Sequence, residues 1–162
     1  MTTPQDVLQI AISEIGTTEN PSGYDQTKYN AWYGMNHVPW AAIFVSYCFY
    51  HAGLPLEITT DKGFAYHPHA KKWFKEHGWW HTTPQVGDIV FFDWGLGNDQ
   101  LPDSVGIVEK VNSDGSIVAI RGNVDNQVKR VNHQGSTIMG YGRPPYQTSK
   151  LDSELAQVLL NS

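Results

Sequence analysis

The order of the predicted elements favours an α+β fold, with N-terminal helices packed on a C-terminal antiparallel sheet. Apolar residues repeat with helical spacing in the first half of the chain, and short strand-like segments separated by turn residues follow from Pro84 onward. Helices followed by strands are typical of proteins whose helices cover one face of the sheet. A chain of 162 residues fits one domain that buries its core without disulfides or a structural metal.

Four helices are expected, and each is followed by a glycine that can end it. Thr3 is placed to cap the first helix, with Pro4 and the acidic Asp6 in its first turn. Apolar residues recur at i, i+3, i+4 and i+7 along this helix and share one face of the third helix at similar spacing. The predicted ranges are Pro4–Ile15, Tyr24–Tyr33, Trp40–Ala52 and His69–His77.

Five strands are expected after the helices, and the sharpest turn signal among them is Asn112–Gly115. The strands on either side of it should form a hairpin, because Asn-Ser-Asp-Gly supplies residues that tolerate tight turns. The remaining strands continue the sheet as an antiparallel meander. The predicted ranges are Asp88–Trp94, Val105–Val111, Ser116–Ile120, Val128–Asn132 and Thr137–Tyr141.

The last residues differ in character from the rest of the chain. Residues 1–145 are predicted to form the domain, and residues 146–162 to form a linker or terminal appendage. Within that appendage Gln147–Lys150 is polar, whereas Ser153–Leu160 has the spacing of a short amphipathic helix.

Charge and composition exclude several classes of protein. The net charge of -5 and the pI near 5.7 argue against a nucleic-acid partner, since sequence-independent phosphate binding needs a basic surface. The single Cys48 cannot form an internal disulfide or a thiolate zinc site. No apolar run reaches the ~20 residues of a membrane span, and the N-terminus lacks the pattern of a signal peptide. We therefore expect synthesis in the cytoplasm without a leader, no membrane partner and a monomer.

The start of the third helix has the position of a nucleophile without its chemistry. Pro39-Trp40 ends a loop, and the helix begins directly afterwards. Unpaired backbone N–H groups and the helix dipole stabilise an anion, such as a thiolate, in that first turn. The residue there is Ala41, which has no reactive group. Taken alone, an alanine at this place is simply a good helix former in a core helix.

Five motifs that occur in one order along the chain give this alanine another meaning. They are Pro39-Trp40-x-Ala42-x-Phe44-Val45-Ser46-Tyr47-Cys48, Pro84-Gln-Val-Gly87-Asp88-Ile-Val-Phe-Phe92, Val105-Gly106-Ile107-Val108-Glu109, Gly122-Asn123 and Gly140-Tyr-Gly-Arg-Pro144. Together they resemble a CHAP domain, the cysteine, histidine-dependent amidohydrolase/peptidase family related to NlpC/P60 enzymes. The resemblance implies a papain-like fold and cleavage of peptidoglycan amide bonds, an activity common in phage endolysins. It implies bacterial peptidoglycan as the partner. Some members of the family carry a calcium loop near the N-terminus, but this sequence shows none there, and no cofactor is predicted.

The resemblance also implies four catalytic positions, of which three carry a different residue in this chain. The nucleophilic cysteine follows Pro-Trp, where this chain has Ala41. The general-base histidine precedes Val-Gly-Ile-Val, where Ser104 stands, and the acid that orients it precedes Gly-Asn, where Arg121 stands. The fourth position keeps its asparagine, Asn123.

These replacements remove the chemistry that amide hydrolysis by a cysteine requires. A thiolate must attack, an imidazole must activate it and protonate the leaving amine, and an acceptor must hold the imidazole ring. Alanine has no lone pair, serine does not titrate near neutral pH, and arginine only donates. The chain is therefore predicted to be catalytically inactive, either as an altered endolysin domain or as a natural pseudoenzyme that binds wall peptide or a protein partner.

The other candidate groups have ordinary structural interpretations. Cys48 lies in mid-helix among apolar residues, where burial raises the pKa of a thiol, so it is predicted to fill the core. The segment His67–His69 is a weak metal-ligand pattern, and no metal site is predicted. Trp40 and Trp94 are predicted to line the substrate groove, while other tryptophans fill the core.

Overall fold

The computed structural model describes residues 1–95, 100–146 and 158–161, and the helices of the domain precede its strands. The helices are α1 (Pro4–Ser13), α2 (Lys28–Tyr33), α3 (Ala41–His51) and α4 (His67–Glu76). The strands are β1 (Trp80–His81), β2 (Ile89–Phe92), β3 (Ser104–Val111), β4 (Ile117–Val124), β5 (Gln127–His133) and β6 (Ile138–Gly142). The predicted α+β order is confirmed.

The six strands form one antiparallel sheet in the order β1-β6-β2-β3-β4-β5. β3 and β4 form the predicted hairpin, in which the Asn112 N–H donates to the Ser116 carbonyl at 2.8 Å. The last strand, β6, returns to lie between β1 and β2. β1 was not predicted from the sequence, because it is only two residues long and exists through its pairing with β6.

The helix starts follow local capping. At α1 the Asp6 N–H donates to Thr3 Oγ1, and the Thr3 N–H donates back to the Asp6 carboxylate, as the sequence indicates. The second helix begins at Lys28 rather than Tyr24, because Thr27 Oγ1 accepts from the first backbone N–H groups and fixes the start there. α4 begins two residues earlier than predicted, at His67, with Pro68 in its first turn.

The side chains of the sheet alternate between two apolar layers, as the period of a strand requires. We call the layer under α1 and α3 the helix-side layer; its sheet members are Ile89, Phe91, Val105, Ile107, Ile120 and Val128. The outer layer covers the opposite face and comprises Val90, Phe92, Val108, Ile117, Ala119 and Tyr141, with Trp94 and Ile138 packed against them. Helix α3 lies in the helix-side layer, mainly across β3 and β4.

Packing continues to the last residue before the C-terminal gap in the described ranges. The Tyr146 hydroxyl donates to the Gly87 carbonyl at 2.6 Å, and the Tyr146 ring lies 6.0 Å from the ring of Phe49. The helix predicted over Ser153–Leu160 falls outside the described residues except for 158–160, which are helical. The division at 145/146 therefore stays a prediction.

Candidate functional site

The first turn of α3 offers backbone donors and an inert side chain. Trp40 occupies the cap position and makes no side-chain capping bond. The helix therefore starts with N–H groups that no side-chain cap satisfies, which is the arrangement that stabilises a negative charge. Ala41, the first helical residue, is 6% exposed and presents only a methyl group. This position can bind or stabilise an anion, but it cannot supply a nucleophile.

A glycine on β4 fixes where this helix starts. A Cβ added to Gly122 would lie 2.8 Å from Phe44 Cβ and 2.9 Å from Trp40 Cζ3, so only glycine permits this approach without movement. The start of α3 thus contacts the strand directly beside Arg121. The Trp40 ring is fully buried in this contact, so it supports the helix and has no surface with which to touch a ligand.

The mid-helix cysteine plays no part in this surface. Cys48 is fully buried in the helix-side layer. Burial raises the pKa of its thiol well above the ordinary value, with a smaller contribution in the same direction from Glu14. Its predicted role in the core is confirmed.

The outer face of the sheet brings Ser104 next to an aromatic pair. Ser104, the first residue of β3, pairs with Phe92 on β2 and is 7% exposed. Asp103, which precedes β3, links that strand to the end of β2 and the loop after it. The Asp103 N–H donates to the Phe92 carbonyl, and an Asp103 carboxylate oxygen accepts from the Trp94 N–H, both at 2.7 Å. The Phe92 and Trp94 rings stack, with centroids 4.9 Å apart and 12° between their planes.

Arg121 lies on this aromatic pair. Its guanidinium carbon is 4.9 Å from the centroid of the Phe92 ring and 5.0 Å from that of Trp94. The stem of the side chain passes over Gly106, where an added Cβ would lie 2.6 Å from Arg121 Cγ. A cation over aromatic faces is attracted by their quadrupoles. β4 thus carries Arg121, and the neighbouring strands β2 and β3 supply the Phe92 ring and Gly106 against which its side chain packs.

A histidine that the motifs did not single out completes the surroundings of Arg121. Arg121 Nη1 donates to His133 Nε2 at 3.4 Å, and the His133 ring lies 4.4 Å from the Phe92 ring. Burial, followed by the charge of Arg121, lowers the pKa of His133 to about 4. His133 is therefore neutral near pH 7 and can accept this hydrogen bond.

The four predicted catalytic positions occupy two adjoining regions. Ser104 and Arg121 lie on the outer face beside Phe92, whereas Ala41 packs with the helix-side layer. Asn123 has a φ of 63°, in the left-handed region, at the register shift that ends β4. The contact of Trp40 with Gly122 joins the two regions, but convergence of all four side chains on one groove stays a prediction.

The comparisons with known proteins decide the family. The family model described as "CHAP domain" matches residues 32–123, which is more than half of the chain and includes the four positions. The chain belongs to the CHAP family. No curated protein and no solved structure matches it. Membership implies the chemistry of peptidoglycan amidases and peptidases and is consistent with a papain-like arrangement of the helices and sheet.

This CHAP domain has a further histidine near both regions of the site. His67, at the start of α4, lines a cleft of about 260 Å³ together with Val38 and Pro39, just before the start of α3. Burial lowers the pKa of His67 to about 4, and the nearby charge of Asp103 opposes that shift. His67 therefore lies between the loop before Ala41 and the residue before Ser104. In the sequence, His67 stands out only as part of the weak metal-ligand pattern His67–His69.

Within the described ranges, the acidic residues, histidines and cysteine form no group of three that could hold a metal ion. In the same ranges no helix is long and apolar enough to cross the bilayer. The site as described consists of an uncapped helix start, a buried serine and an arginine on aromatic rings. None of these groups is the nucleophile or the base of cysteine catalysis.

Proposed function

We propose that this chain is a CHAP peptidoglycan hydrolase domain derived from a bacteriophage endolysin and is catalytically inactive as written. The observation that carries the proposal is chemical. The family match spans the catalytic positions, yet the residues at three of them are Ala41, Ser104 and Arg121. Its place of action would be the bacterial cell wall after release from the producing cell, where we expect no lysis and hence no antimicrobial effect.

Each replacement removes a separate requirement of the reaction. Without a thiolate there is no covalent attack, and loss of a catalytic nucleophile alone costs roughly 10⁶ in rate. Ser104 cannot act as a base near neutral pH. The positive charge of Arg121 disfavours an imidazolium beside it, so it would oppose a histidine introduced at position 104.

The test is the triple change Ala41→Cys, Ser104→His and Arg121→Glu. We expect the triple variant to lower the turbidity of a suspension of Gram-positive cell walls and to release new amino termini. The present chain and each single variant should leave both readouts at the buffer level, because the three groups act as one unit. A thiol-alkylating reagent should abolish the gained activity.

A matched control separates the position of the acid from its charge. Ala41→Cys and Ser104→His combined with Arg130→Glu introduces the same charge change on the neighbouring strand β5, where Arg130 is exposed. This control should show at most partial activity. A triple variant that folds, as judged by circular dichroism, but cleaves no wall from a panel of species would contradict the proposal.

A natural pseudoenzyme that binds wall peptide is the second candidate. The half-buried Arg121, which has no carboxylate partner among the described residues, favours binding. The encoding gene distinguishes the two origins: a natural pseudoenzyme gene encodes the residues seen here, whereas an altered domain descends from a gene with cysteine, histidine and acid codons.

A further inference from the structure

Arg121 is a charged group in a half-buried position with an incomplete set of partners. Its Nε is buried and has no hydrogen-bond partner among the described residues. The one hydrogen bond that those residues accept from Arg121 runs from Nη1 to neutral His133. Burial lowers the pKa of Arg121, and no carboxylate among the described residues opposes that shift. A guanidinium with five N–H donors and no anion is costly to bury.

The two acids beside the Trp94 loop already accept backbone hydrogen bonds. An Asp103 carboxylate oxygen accepts from the Trp94 N–H, and an Asp93 carboxylate oxygen accepts from the Gly95 N–H, at 2.7 and 2.8 Å. These two bonds hold the loop that positions Trp94. Neither carboxylate forms an ion pair with Arg121 in the described ranges.

The aromatic pair beside Arg121 gives the site a shape. Phe92 is fully buried in the outer layer, while Trp94 is half-buried and its ring is stacked on that of Phe92. The rings hold the guanidinium in place by its contact with their surfaces. Trp94 also gives an incoming peptide an apolar surface next to the charge.

We propose that Arg121 binds the carboxylate of a peptide, with Trp94 as the apolar wall and His133 beside the guanidinium. The proposal rests on the proposed function, because peptidoglycan is the polymer on which CHAP domains act and its stem peptides carry free carboxylates. A guanidinium fork matches the planar carboxylate by two parallel hydrogen bonds. It would make the position of the orienting acid a recognition position in this chain.

The probe is N-acetyl-D-alanyl-D-alanine, compared with its C-terminal amide and with inorganic phosphate. Binding to the full chain is followed by NMR shifts of the Trp94 indole and the His133 ring. We expect saturable binding of the free acid and at least a tenfold weaker effect of the amide, since the charge-assisted pair is absent there. Phosphate should bind more weakly than the peptide, because it has no group to contact Trp94.

Variants locate the binding group. Arg121→Gln should weaken binding of the free acid at least tenfold, and Arg121→Lys should weaken it less, because a lysine keeps the charge without the fork. Arg130→Gln removes an exposed arginine on β5 and is the matched control, with no change expected. Asp99 lies outside the described residues, and Asp99→Asn tests whether the chain supplies its own carboxylate.

Each possible result of these experiments either supports or overturns the proposal. Equal binding of acid and amide, equal binding of phosphate, or no effect of Arg121→Gln overturns the proposal. Binding that appears only in Asp99→Asn also overturns it, since the occupant is then internal. If Arg121→Gln does not fold, the comparison of acid with amide on the unaltered chain still decides. Lack of binding together with wall cleavage by the triple variant refutes this inference alone; binding without cleavage by that variant refutes the proposed catalytic positions alone.

Discussion

Two arginines in different parts of the sheet differ in the groups that surround their positive charge. Arg143, just after β6, makes two hydrogen bonds of 2.9 Å to the carboxylate of Asp88, whose side chain is 1% exposed. Arg121, on β4, lies on aromatic rings and hydrogen-bonds only to a neutral histidine in the described ranges. The first arginine closes a buried ion pair between the start of β2 and the end of β6. Arg121 keeps N–H donors for which the described residues offer no acceptor.

The difference shows which arginine is structural. The buried Asp88 carboxylate and the partly buried Arg143 guanidinium link the two strands, and removing the guanidinium would leave a buried charge unpaired. A half-buried guanidinium without an anion contributes little to folding and retains its capacity to bind. The comparison predicts that Arg143 matters for stability, and it agrees with the proposal that Arg121 binds a ligand.

The largest expected effect is a loss of stability when Arg143 is replaced. Arg143→Ala should lower the free energy of unfolding by about 3–5 kcal/mol, because it leaves the Asp88 carboxylate buried without its partner. Urea denaturation followed by circular dichroism measures this change. Arg130→Ala, which breaks an exposed pair with Glu109, is the control and should cost less than about 1 kcal/mol. Equal costs for the two variants would remove the distinction between structural and surface arginines.

The second effect has the opposite sign and concerns Arg121. Arg121→Met keeps much of the side-chain volume over Gly106 and removes a half-buried charge that lacks an anion. We expect the free energy of unfolding to stay the same or to rise by about 1–2 kcal/mol. The same urea experiment measures it. A loss of several kcal/mol would show that Arg121 has an acidic partner and would make it structural, like Arg143.

The smallest expected effect is a change in the pKa of His133 when Arg121 is replaced. Its pKa of about 4 is lowered first by burial and then by Arg121, so Arg121→Met should raise it only part of the way to the ordinary value. The unfolded histidine binds a proton near pH 6.5, whereas the folded one does so only near pH 4. Stability therefore falls as the pH drops from about 6.5 towards 4, and it should fall less steeply in Arg121→Met, by under about 1 kcal/mol. NMR titration of the His133 ring gives the pKa directly; an unchanged value would place Arg121 too far away to matter.

Local sequence signals predicted the parts of the fold that local interactions determine. Pro39 before α3 and Asn112–Gly115 between β3 and β4 act on their immediate neighbours, and both elements formed where expected. The start of α2 was wrong because a capping threonine, Thr27, outweighed the helical spacing of the residues before it. β1 was missed because its two residues are strand only through β6, which lies far along the chain.

The site was harder to predict, because its contacts depend on register. The motifs gave Ser104 and Arg121, yet their common neighbour Phe92 follows only from the pairing of β2 with β3. His133 reaches Arg121 only because β5 folds back beside β4. No spacing in the sequence carries that information.

The close contact at Gly122 and the Arg121 side chain lie on opposite faces of β4. On β4, Ile120 and Gly122 hold the helix, while the side chains of Ala119 and Arg121 point to the other face. The two sets of side chains therefore contact different parts of the molecule. A change of residue at position 121 therefore leaves the seat of the helix on β4 unaltered, and the chemistry of the outer face can be redesigned without rebuilding the scaffold.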